Sequence, residues 1–245
     1  MTVTLVQISD THLLAGDARA YGVVDTGAAL DRAAAHIRAL GETVGPIDAV
    51  IATGDIADRG EPEAYRRFRA AMADHGAPVY ALPGNHDDRP VLRDAFAQDG
   101  YLPARGPLDF ELIVGDLLAL CVDSTIPGAP GGEIGAARLA ALEARIARHD
   151  GPAALFLHHP PVALGIGLMD RQRLADGPAL AALAARRPTL RLVGCGHVHR
   201  MIVGRIGAAS LVVAPAPAHA VRLDYRQHGA ADFMLEPGAV LVHRW

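Results

Sequence analysis

Short apolar runs alternate with amphipathic stripes along the first hundred residues. The runs have the length and the turn-rich flanks of buried strands. Between them, apolar residues recur every three or four positions, which predicts two helices, one beginning near Asp25 or Thr26 and one after Pro62. An alternation of strands and helices predicts a parallel sheet. The apolar runs are residues 3–9, 49–52 and 79–82.

The second half of the chain predicts more strands, some of them antiparallel. Residues 110–123 are expected to form a hairpin that turns at Gly115 and Asp116. The tail from 201 to 245 predicts several strands that turn at Pro237 and Gly238. We therefore expect one α/β domain over residues 1–245, with two mixed sheets packed face to face and helices on both outer faces. Further helices are expected at 89–97, 139–146 and 177–186, and further strands at 153–157 and 190–194.

The composition favours a soluble globular protein that acts on a small molecule. The 245 residues are 51% hydrophobic and 20% charged, which excludes extended disorder. The 23 basic and 27 acidic side chains give a net charge of −4, and only 4% of the residues are aromatic. A slightly acidic chain with few aromatic rings does not suit a nucleic acid polymer, which needs a basic groove and stacking platforms. We therefore expect a small-molecule substrate.

The cysteines and the N-terminal segment predict a cytoplasmic protein. Cys121 and Cys195 lie in apolar stretches and cannot make a disulfide framework, so a reducing compartment suits them. The first ten residues lack the basic flank and the long apolar core of a signal peptide. No run approaches the ~20 apolar residues of a membrane span, so no membrane association is expected. All 23 basic residues are arginine, which excludes chemistry that needs a lysine.

Polar residues of the types that bind metal ions follow five of the predicted strands. In open α/β sheets, ligands bind beyond the carboxyl ends of the strands. The segment Gly84-Asn85-His86-Asp87 is the most specific, because Asn85 is the only asparagine in the chain. The order and the shared placement of the five segments carry more weight than any one of them. In chain order, these residues are Asp10 and His12, Asp55 and Asp58, Asn85, His86 and Asp87, His158 and His159, and His197 and His199.

These residue types suggest a particular kind of metal site. Carboxylate, imidazole and amide oxygen together make a mixed nitrogen and oxygen donor set, which suits Mn, Fe, Zn or Co ions. Two such ions roughly 3.5–4 Å apart need a carboxylate that bridges them, and Asp55 is the natural candidate. The sequence leaves open which of these metals is bound.

The five segments, in this order, resemble the calcineurin-like metallophosphoesterase superfamily over nearly the whole chain. Four segments narrow the resemblance to bacterial class III cyclic nucleotide phosphodiesterases and the related glycerophosphodiesterases. They are Tyr21-Gly22 with the helix that follows, His158-His159-Pro160-Pro161, Leu168-Met169-Asp170 and Gly196-His197-Val198-His199. The resemblance implies a sandwich of two sheets between helices, and a site that holds two divalent metal ions.

The resemblance also implies a role for each residue of the site. One ion would be held by Asp10, His12, Asp55 and His199. The other ion would be held by Asp55, Asn85, His158 and His197. By the same resemblance, His86 would contact the phosphoryl group and protonate the leaving oxygen, and His219 would line the substrate pocket.

The sequence therefore predicts a metal-dependent phosphodiesterase. The expected reaction is in-line attack by a metal-bound hydroxide on a small diester, either a 3',5'-cyclic nucleotide or a glycerophosphodiester. A phosphomonoesterase or a nucleotide pyrophosphatase with the same site is the alternative, whereas the acidic, aromatic-poor chain argues against a nuclease. A metal-free interaction scaffold would lack ligands, and here every ligand position is filled. The resemblance and the strand-rich tail are compatible with a homodimer.

Several polar residues near these segments have more than one interpretation. His159 is expected to be hydrogen-bonded in the wall of the site, and Asp58 and Asp87 either orient imidazoles or stabilise turns. Residues 165–176 form either a substrate lip, in which an arginine pairs with the phosphate, or a plain surface loop. The polar residues of this segment are Asp170, Arg171 and Arg173. The histidines expected at the surface or at helix ends are His36, His75, His149, His228 and His243.

Overall fold

Two β-sheets lie face to face at the centre of the protein, as the sequence predicts. The computed structural model describes residues 2–226 and 232–245. Strands are numbered here in chain order, and each sheet is given in spatial order. The first sheet consists of β14 (Leu241–Arg244), β1 (Thr4–Ile8), β2 (Ala49–Thr53) and β3 (Val79–Leu82). The second consists of β10 (Ile202–Ile206), β11 (Ala209–Val213), β9 (Leu190–Cys195), β8 (Ala153–Leu157), β5 (Leu117–Val122) and β4 (Phe110–Val114).

Both sheets are mixed, with parallel strands at the centre. Strands β1, β2 and β3 are parallel, and β14 pairs antiparallel with β1. Strands β5, β8, β9 and β11 are also parallel, and antiparallel strands flank them on both sides. The predicted hairpin is the pair β4 and β5, whose turn contains Gly115 at φ 60°. The carboxyl ends of β1, β2, β8 and β9 therefore open on one rim.

Helices cover the outer face of each sheet. Between the sheets, Leu5 and Ile51 pack against Leu117 and Phe156, all of them fully buried. The helices on the first sheet are α1 (Thr26–Val44), α2 (Pro62–Ala71) and α3 (Arg89–Ala95). Those on the second are α4 (Ala136–Ala147), α5 (Gly167–Arg171) and α6 (Gly177–Arg186). Among the described residues, no helix combines the length and the apolar character needed to cross a membrane.

Local sequence explains where these elements begin and which way they face. Asp25 caps α1, because its side chain accepts a hydrogen bond from the amide of Ala28. Helix α2 begins at Pro62, which suits a first turn that needs no amide donor. In β1, Leu5 faces the other sheet, while Val6 packs under the helices. The remaining short elements are the 3-10 turn Ala97–Asp99 and the strands β6 (Thr125–Ile126), β7 (Ala129–Gly132), β12 (Ala220–Val221) and β13 (Phe233–Met234).

The tail is rich in strands, but the turn predicted at Pro237 and Gly238 is wrong. Residues 235–240 run without a turn from β13 to β14, which returns to the first sheet beside β1. A Cβ at Gly238 would collide with the backbone of Pro217, so glycine serves a close approach of two chain segments there. Residues 227–231, with His228, lie outside the described residues.

Candidate metal centre

The loops after β1, β2, β8 and β9 are hydrogen-bonded to one another at the rim. The amide of Asp10 donates to the carbonyl of Gly54 over 3.0 Å, and that of His12 donates to the carbonyl of Asp55 over 2.9 Å. On the other side, the amide of Gly196 donates to the carbonyl of His158 over 2.9 Å. The two pairs of loops are joined by the amide of His197, which donates to Asp10 Oδ1 over 2.9 Å, and by His158 Nδ1, which donates to the carbonyl of Thr53 over 2.8 Å. These bonds bring together side chains that lie up to 189 positions apart in the sequence, from Asp10 to His199.

A first cluster of buried side chains lies at the ends of β1, β2 and β9. Asp10, His12, Asp55 and His199 each place a potential ligand atom within 4.8 Å of all the others. His12 Nε2 lies 3.1 Å from His199 Nε2 and 3.5 Å from Asp55 Oδ2. His199 Nε2 lies 3.6 Å from Asp10 Oδ1. This spacing lets all four residues reach a single ion.

A second cluster adjoins the first and shares Asp55 with it. His158 Nε2 lies 3.3 Å from Asp55 Oδ2 and 3.2 Å from Asn85 Oδ1. The ring of His197 lies beside that of His158, with the two centroids 5.1 Å apart. The same carboxylate oxygen of Asp55 thus faces His12 in one cluster and His158 in the other. A carboxylate in this position has the geometry of a bridge between two ions.

The backbone of these loops is held in a strained conformation. Within residues 2–226 and 232–245, six non-glycine residues have a positive φ, and five of them are candidate ligands. Left-handed backbone is unfavourable for residues with a Cβ and concentrates at functional sites. The five candidate ligands are Asp10 at 56°, His12 at 44°, Asp55 at 49°, His197 at 75° and His199 at 55°.

Burial and neighbouring charges change the proton affinity of these groups. Burial raises the pKa of Asp10 to about 6. Burial lowers the pKa of His158, but the Asp55 carboxylate outweighs that effect and raises it to about 9. Burial likewise opposes ionisation of Asp55, whose pKa is nevertheless held well below its usual range by the charge of His158. Burial, reinforced by the charge of His158, lowers the pKa of His197 to about 3.

The donor set fits divalent metal ions. His197 Nε2 and His199 Nδ1 are buried, and neither has a hydrogen-bond partner among the described residues. Burial and the charge of His12 hold the pKa of His199 well below its usual range, so both rings are neutral at pH 7, as a metal ligand must be. Asp10 is fully buried without a Lys or Arg partner in the described part of the chain. A bound cation would satisfy His197 Nε2 and offset the buried charge of Asp10.

His86 and Asp58 lie at the open side of the first cluster. The exposed ring of His86 donates from Nδ1 to the carbonyl of Asp58 over 2.9 Å, which leaves Nε2 free of hydrogen bonds to the described residues. The amide of His86 donates to Asp55 Oδ1 over 2.9 Å. The Asp58 carboxylate accepts from His12 Nδ1 over 3.0 Å, so it orients an imidazole, as one of the two interpretations expected.

Asp87, in the loop after β3, is bonded to the loop after β2. Its carboxylate accepts hydrogen bonds from the amides of Ile56, Ala57 and Gly84 at 3.2, 3.0 and 2.9 Å. The hydroxyl of Tyr65, a fully buried residue, donates to the same carboxylate over 2.9 Å. Asp87 therefore fixes the backbone just after Asp55 and just before Asn85, and within the described residues it has no hydrogen bond to an imidazole.

Comparison with known proteins identifies the family. The model of the calcineurin-like phosphoesterases matches residues 3–201, which include all seven candidate ligands. The chain belongs to this family. The fold agrees, because a dimetal phosphatase from Danio rerio superposes on 90% of this chain and 92% of its own with a TM-score of 0.67 at 13% identity. The resemblance drawn from the motifs is thereby confirmed.

Two curated relatives of this calcineurin-like phosphoesterase are phosphodiesterases by name. A probable glycerophosphodiester phosphodiesterase of Arcobacter nitrofigilis is 35% identical over 98% of this chain and 88% of the relative. A cAMP/cGMP dual specificity phosphodiesterase of Mycobacterium tuberculosis is 34% identical over 98% of this chain and 75% of the relative. The two relatives are thus about equally similar to this chain and are named for different substrates.

A cavity of about 460 Å³ opens above both clusters in this calcineurin-like phosphoesterase. His219 belongs to the lining of this cavity, with its ring 4.7 Å from that of His199 and 5.6 Å from that of His12. Burial lowers the pKa of His219 to about 4, and its two ring nitrogens have no hydrogen-bond partner among the described residues. Sequence reasoning missed Phe233, Pro130 and Gln172 in the lining, because no motif marks them.

The other polar residues have structural roles. His159 Nδ1 pairs with the hydroxyl of Ser124 at 2.8 Å, and its Nε2 donates to the carbonyl of Pro130 over 3.2 Å. This matches the expectation of a ring bonded within the wall. In the segment 165–176, the Asp170 carboxylate accepts from the amides of Leu164 and Gly165, and Arg173 donates to the carbonyl of Asp170.

The segment 165–176 forms part of the cavity wall rather than a plain surface loop. It contains the short helix α5, which the sequence did not predict. Leu168 and Met169 of this helix line the cavity, together with Gln172. Neither Arg171 nor Arg173 does so, and both are exposed. The segment therefore forms a lip, but one made of apolar and amide side chains instead of a phosphate-binding arginine.

Proposed function

We propose that this calcineurin-like phosphoesterase hydrolyses small phosphodiesters at a centre of two divalent metal ions. The observation that carries the proposal is the Asp55 carboxylate, one oxygen of which lies 3.5 Å from His12 and 3.3 Å from His158. The curated relatives named for phosphodiester substrates support it, since each aligns over 98% of the chain. On this basis the substrate is a 3',5'-cyclic nucleotide or a glycerophosphodiester.

The two ions would share Asp55. Carboxylate, imidazole and amide donors of this kind suit Mn, Fe, Zn or Co. When bound, two such ions supply Lewis acidity and lower the pKa of water towards neutrality. In this proposal the first ion is held by Asp10, His12, Asp55 and His199. The second is held by Asp55, Asn85, His158 and His197.

His86 has the position of the general acid. Because its Nδ1 donates to the Asp58 carbonyl, the proton that can be transferred is carried on Nε2 of the imidazolium form. That proton would go to the leaving alkoxide of the diester. The hydrogen bond from the His86 amide to Asp55 Oδ1 fixes the ring relative to the shared carboxylate. Asp58 is hydrogen-bonded to both His12 and His86, so it fixes the position of the proposed acid relative to the first cluster.

The charge of the cavity favours a diester over the alternatives. Apart from histidine, none of the described residues that line the cavity is basic. A phosphomonoester dianion or a pyrophosphate carries more negative charge than a diester and would need additional cationic groups around it. A phosphomonoesterase or a nucleotide pyrophosphatase is therefore the weaker proposal for this site. A metal-free scaffold is weaker still, since the clusters retain every candidate ligand.

The proposal extends to the setting of the enzyme. We propose a single catalytic domain that acts in the cytoplasm, where its two buried free cysteines stay reduced. We also propose a homodimer, which sedimentation velocity tests directly: a single species with the mass of one chain would overturn it.

A parallel assay tests the reaction and its substrate class. Protein loaded with Mn²⁺ is given bis(p-nitrophenyl) phosphate, cyclic AMP, glycerophosphoethanolamine and p-nitrophenyl phosphate, each with and without a chelator. The proposal expects diester turnover that the chelator abolishes, and a lower kcat/KM for the monoester. Turnover of the monoester alone, or of no ester, would contradict it.

A variant of His86 tests the role of the acid separately from the metal centre. His86→Ala is expected to lower kcat about 10²–10⁴-fold on an alkoxide leaving group without loss of bound metal. A much smaller loss is expected with p-nitrophenolate, which needs little protonation. Loss of metal from His86→Ala would place the residue among the ligands instead.

A further inference from the structure

A pair of stacked aromatic rings forms one wall of the cavity. Tyr21 and Phe233 lie with ring centroids 4.1 Å apart and planes 13° from parallel, and both line the cavity. The ring of Tyr21 also contacts that of His219 in a T-shaped arrangement, with the two centroids 5.3 Å apart. The proposed chemistry uses neither ring. The wall is nevertheless continuous with the metal centre through His219, which also lies beside His199.

The backbone holds Tyr21 outward at a cost. Tyr21 is 63% exposed and has a φ of 53°. Within the described residues, it is the one non-glycine residue with a positive φ that is not a candidate ligand. A bulky residue rarely adopts this conformation, and such strain clusters at active sites and ligand-binding segments. The turn is anchored below, where Ala20 and Val24 pack against Leu14.

Outside the metal clusters, part of the cavity lining is apolar, which suits an uncharged, partly apolar group. Leu168 and Met169 of α5 line the cavity together with the rings. Asp232 also lines it, as half of an exposed ion pair in which Arg222 Nε lies 2.7 Å from the carboxylate. An ammonium headgroup would have to compete with Arg222 for this carboxylate. A planar base, in contrast, can stack on an exposed aromatic face whichever polar groups the base carries.

We propose that Tyr21 and Phe233 form a base-stacking subsite that selects phosphodiesters carrying a planar heterocycle, such as cyclic nucleotides, over glycerophosphodiesters. This inference rests on the proposed phosphodiesterase function and deepens it. Tyr21 provides the more exposed ring, and Phe233 stacks on one of its faces. The subsite acts on binding of the substrate, so its effect falls mainly on KM.

Substitutions at Tyr21 test the subsite by substrate preference. Tyr21→Ala is expected to lower kcat/KM for cyclic AMP about five- to tenfold, mainly through KM, and to change kcat/KM for glycerophosphoethanolamine less than twofold. Tyr21→Phe keeps the ring and should retain the preference. Val23→Ala, an exposed residue of the same turn outside the cavity lining, is the control and should leave both substrates unaffected. Equal losses on both substrates in Tyr21→Ala would overturn the proposal.

A binding measurement separates this inference from the proposed reaction. Adenosine carries the base but no phosphate, so equilibrium dialysis with adenosine reports on the wall without any turnover. We expect adenosine to bind the unaltered protein, Tyr21→Phe and Val23→Ala alike, and to bind Tyr21→Ala at least about fivefold more weakly. Normal adenosine binding without hydrolysis of any diester would refute the reaction and leave the subsite standing. Adenosine binding that Tyr21→Ala leaves unchanged would refute the subsite.

Discussion

Removal of one buried hydroxyl tests how the scaffold fixes the metal centre. Tyr65 is fully buried in α2, and its hydroxyl donates to Asp87 over 2.9 Å and accepts from the amide of Asp88 over 3.0 Å. Tyr65→Phe deletes that oxygen and leaves the ring in place. The Asp87 carboxylate then loses the only side-chain donor it has in the described residues, although three amides still bind it.

The structure sets the size of the effect. A hydrogen bond to a charged group contributes about 1.5–3 kcal/mol, and the Asp88 amide also loses its partner. We therefore expect Tyr65→Phe to lower the free energy of unfolding by about 2–3 kcal/mol, or Tm by roughly 5–10 °C for a chain of this length. Since Asp87 holds the amides of Ile56 and Ala57, which directly follow Asp55, diester turnover should fall as well.

Urea unfolding at pH 7.5, in the presence of a chelator, measures this loss. Tyr80→Phe is the matched control, because the Tyr80 ring packs against Tyr101 while its hydroxyl makes no hydrogen bond within the described residues. The control should change the free energy of unfolding by less than about 0.5 kcal/mol. A Tyr65→Phe protein as stable as the control would refute the view that Asp87 and Tyr65 hold these loops together.

Three further changes give distinct outcomes. Gly84→Ala places a Cβ against the carboxylate and the amide of Asp55, so metal affinity and turnover should collapse, whereas Gly41→Ala, with open space around it in α1, should retain both. Asp58→Ala removes the acceptor of an imidazole in the first cluster and should weaken metal affinity about 10–100-fold, as measured by competition with a chelating dye. Burial lowers the pKa of His243 from 6.5 to about 4, so the unfolded chain binds its proton first and stability is lost as pH falls through this interval. Between pH 7.5 and 5, the free energy of unfolding measured with urea should fall by about 2 kcal/mol less in His243→Gln than in the unaltered protein. An equal fall in both proteins would contradict the lowered pKa of His243.

The strand ends, the residues that follow them and the strand-rich character of the tail could be predicted from sequence, but the path of the tail after β13 could not. Regular alternation of apolar runs and amphipathic stripes predicts parallel central strands, and the parallel pair β1 and β2 brings Asp10 and Asp55 to one rim. His197 reaches the same rim from the second sheet, where its amide donates to Asp10 over 2.9 Å. Pro237 and Gly238 are typical of turns, but the close approach of Gly238 to Pro217 is a tertiary contact that no local pattern records.

The positions of two further residues could not be predicted from the local sequence. His243 was expected at the surface, but it donates from Nε2 to Gln7 Oε1 over 2.9 Å in a polar seam between the sheets. Its place depends on β14 pairing with β1, about 240 residues away along the chain. Phe233 reaches the cavity through the β12 and β13 pair, whose strands have two residues each and carry no periodic signal.

The most direct test of the two-ion centre counts bound metal and activity in the same sample. Metal-depleted protein is titrated with Mn²⁺. At each step, bound metal is measured by elemental analysis, and turnover is measured with bis(p-nitrophenyl) phosphate as the substrate. We expect two ions per chain, turnover that rises as the second is bound, and, in Asp55→Ala, loss of the second ion and nearly all activity. Asp74→Ala, an exposed carboxylate remote from the clusters, should behave as the unaltered protein. Two ions and full turnover in Asp55→Ala would contradict the shared carboxylate on which the account rests.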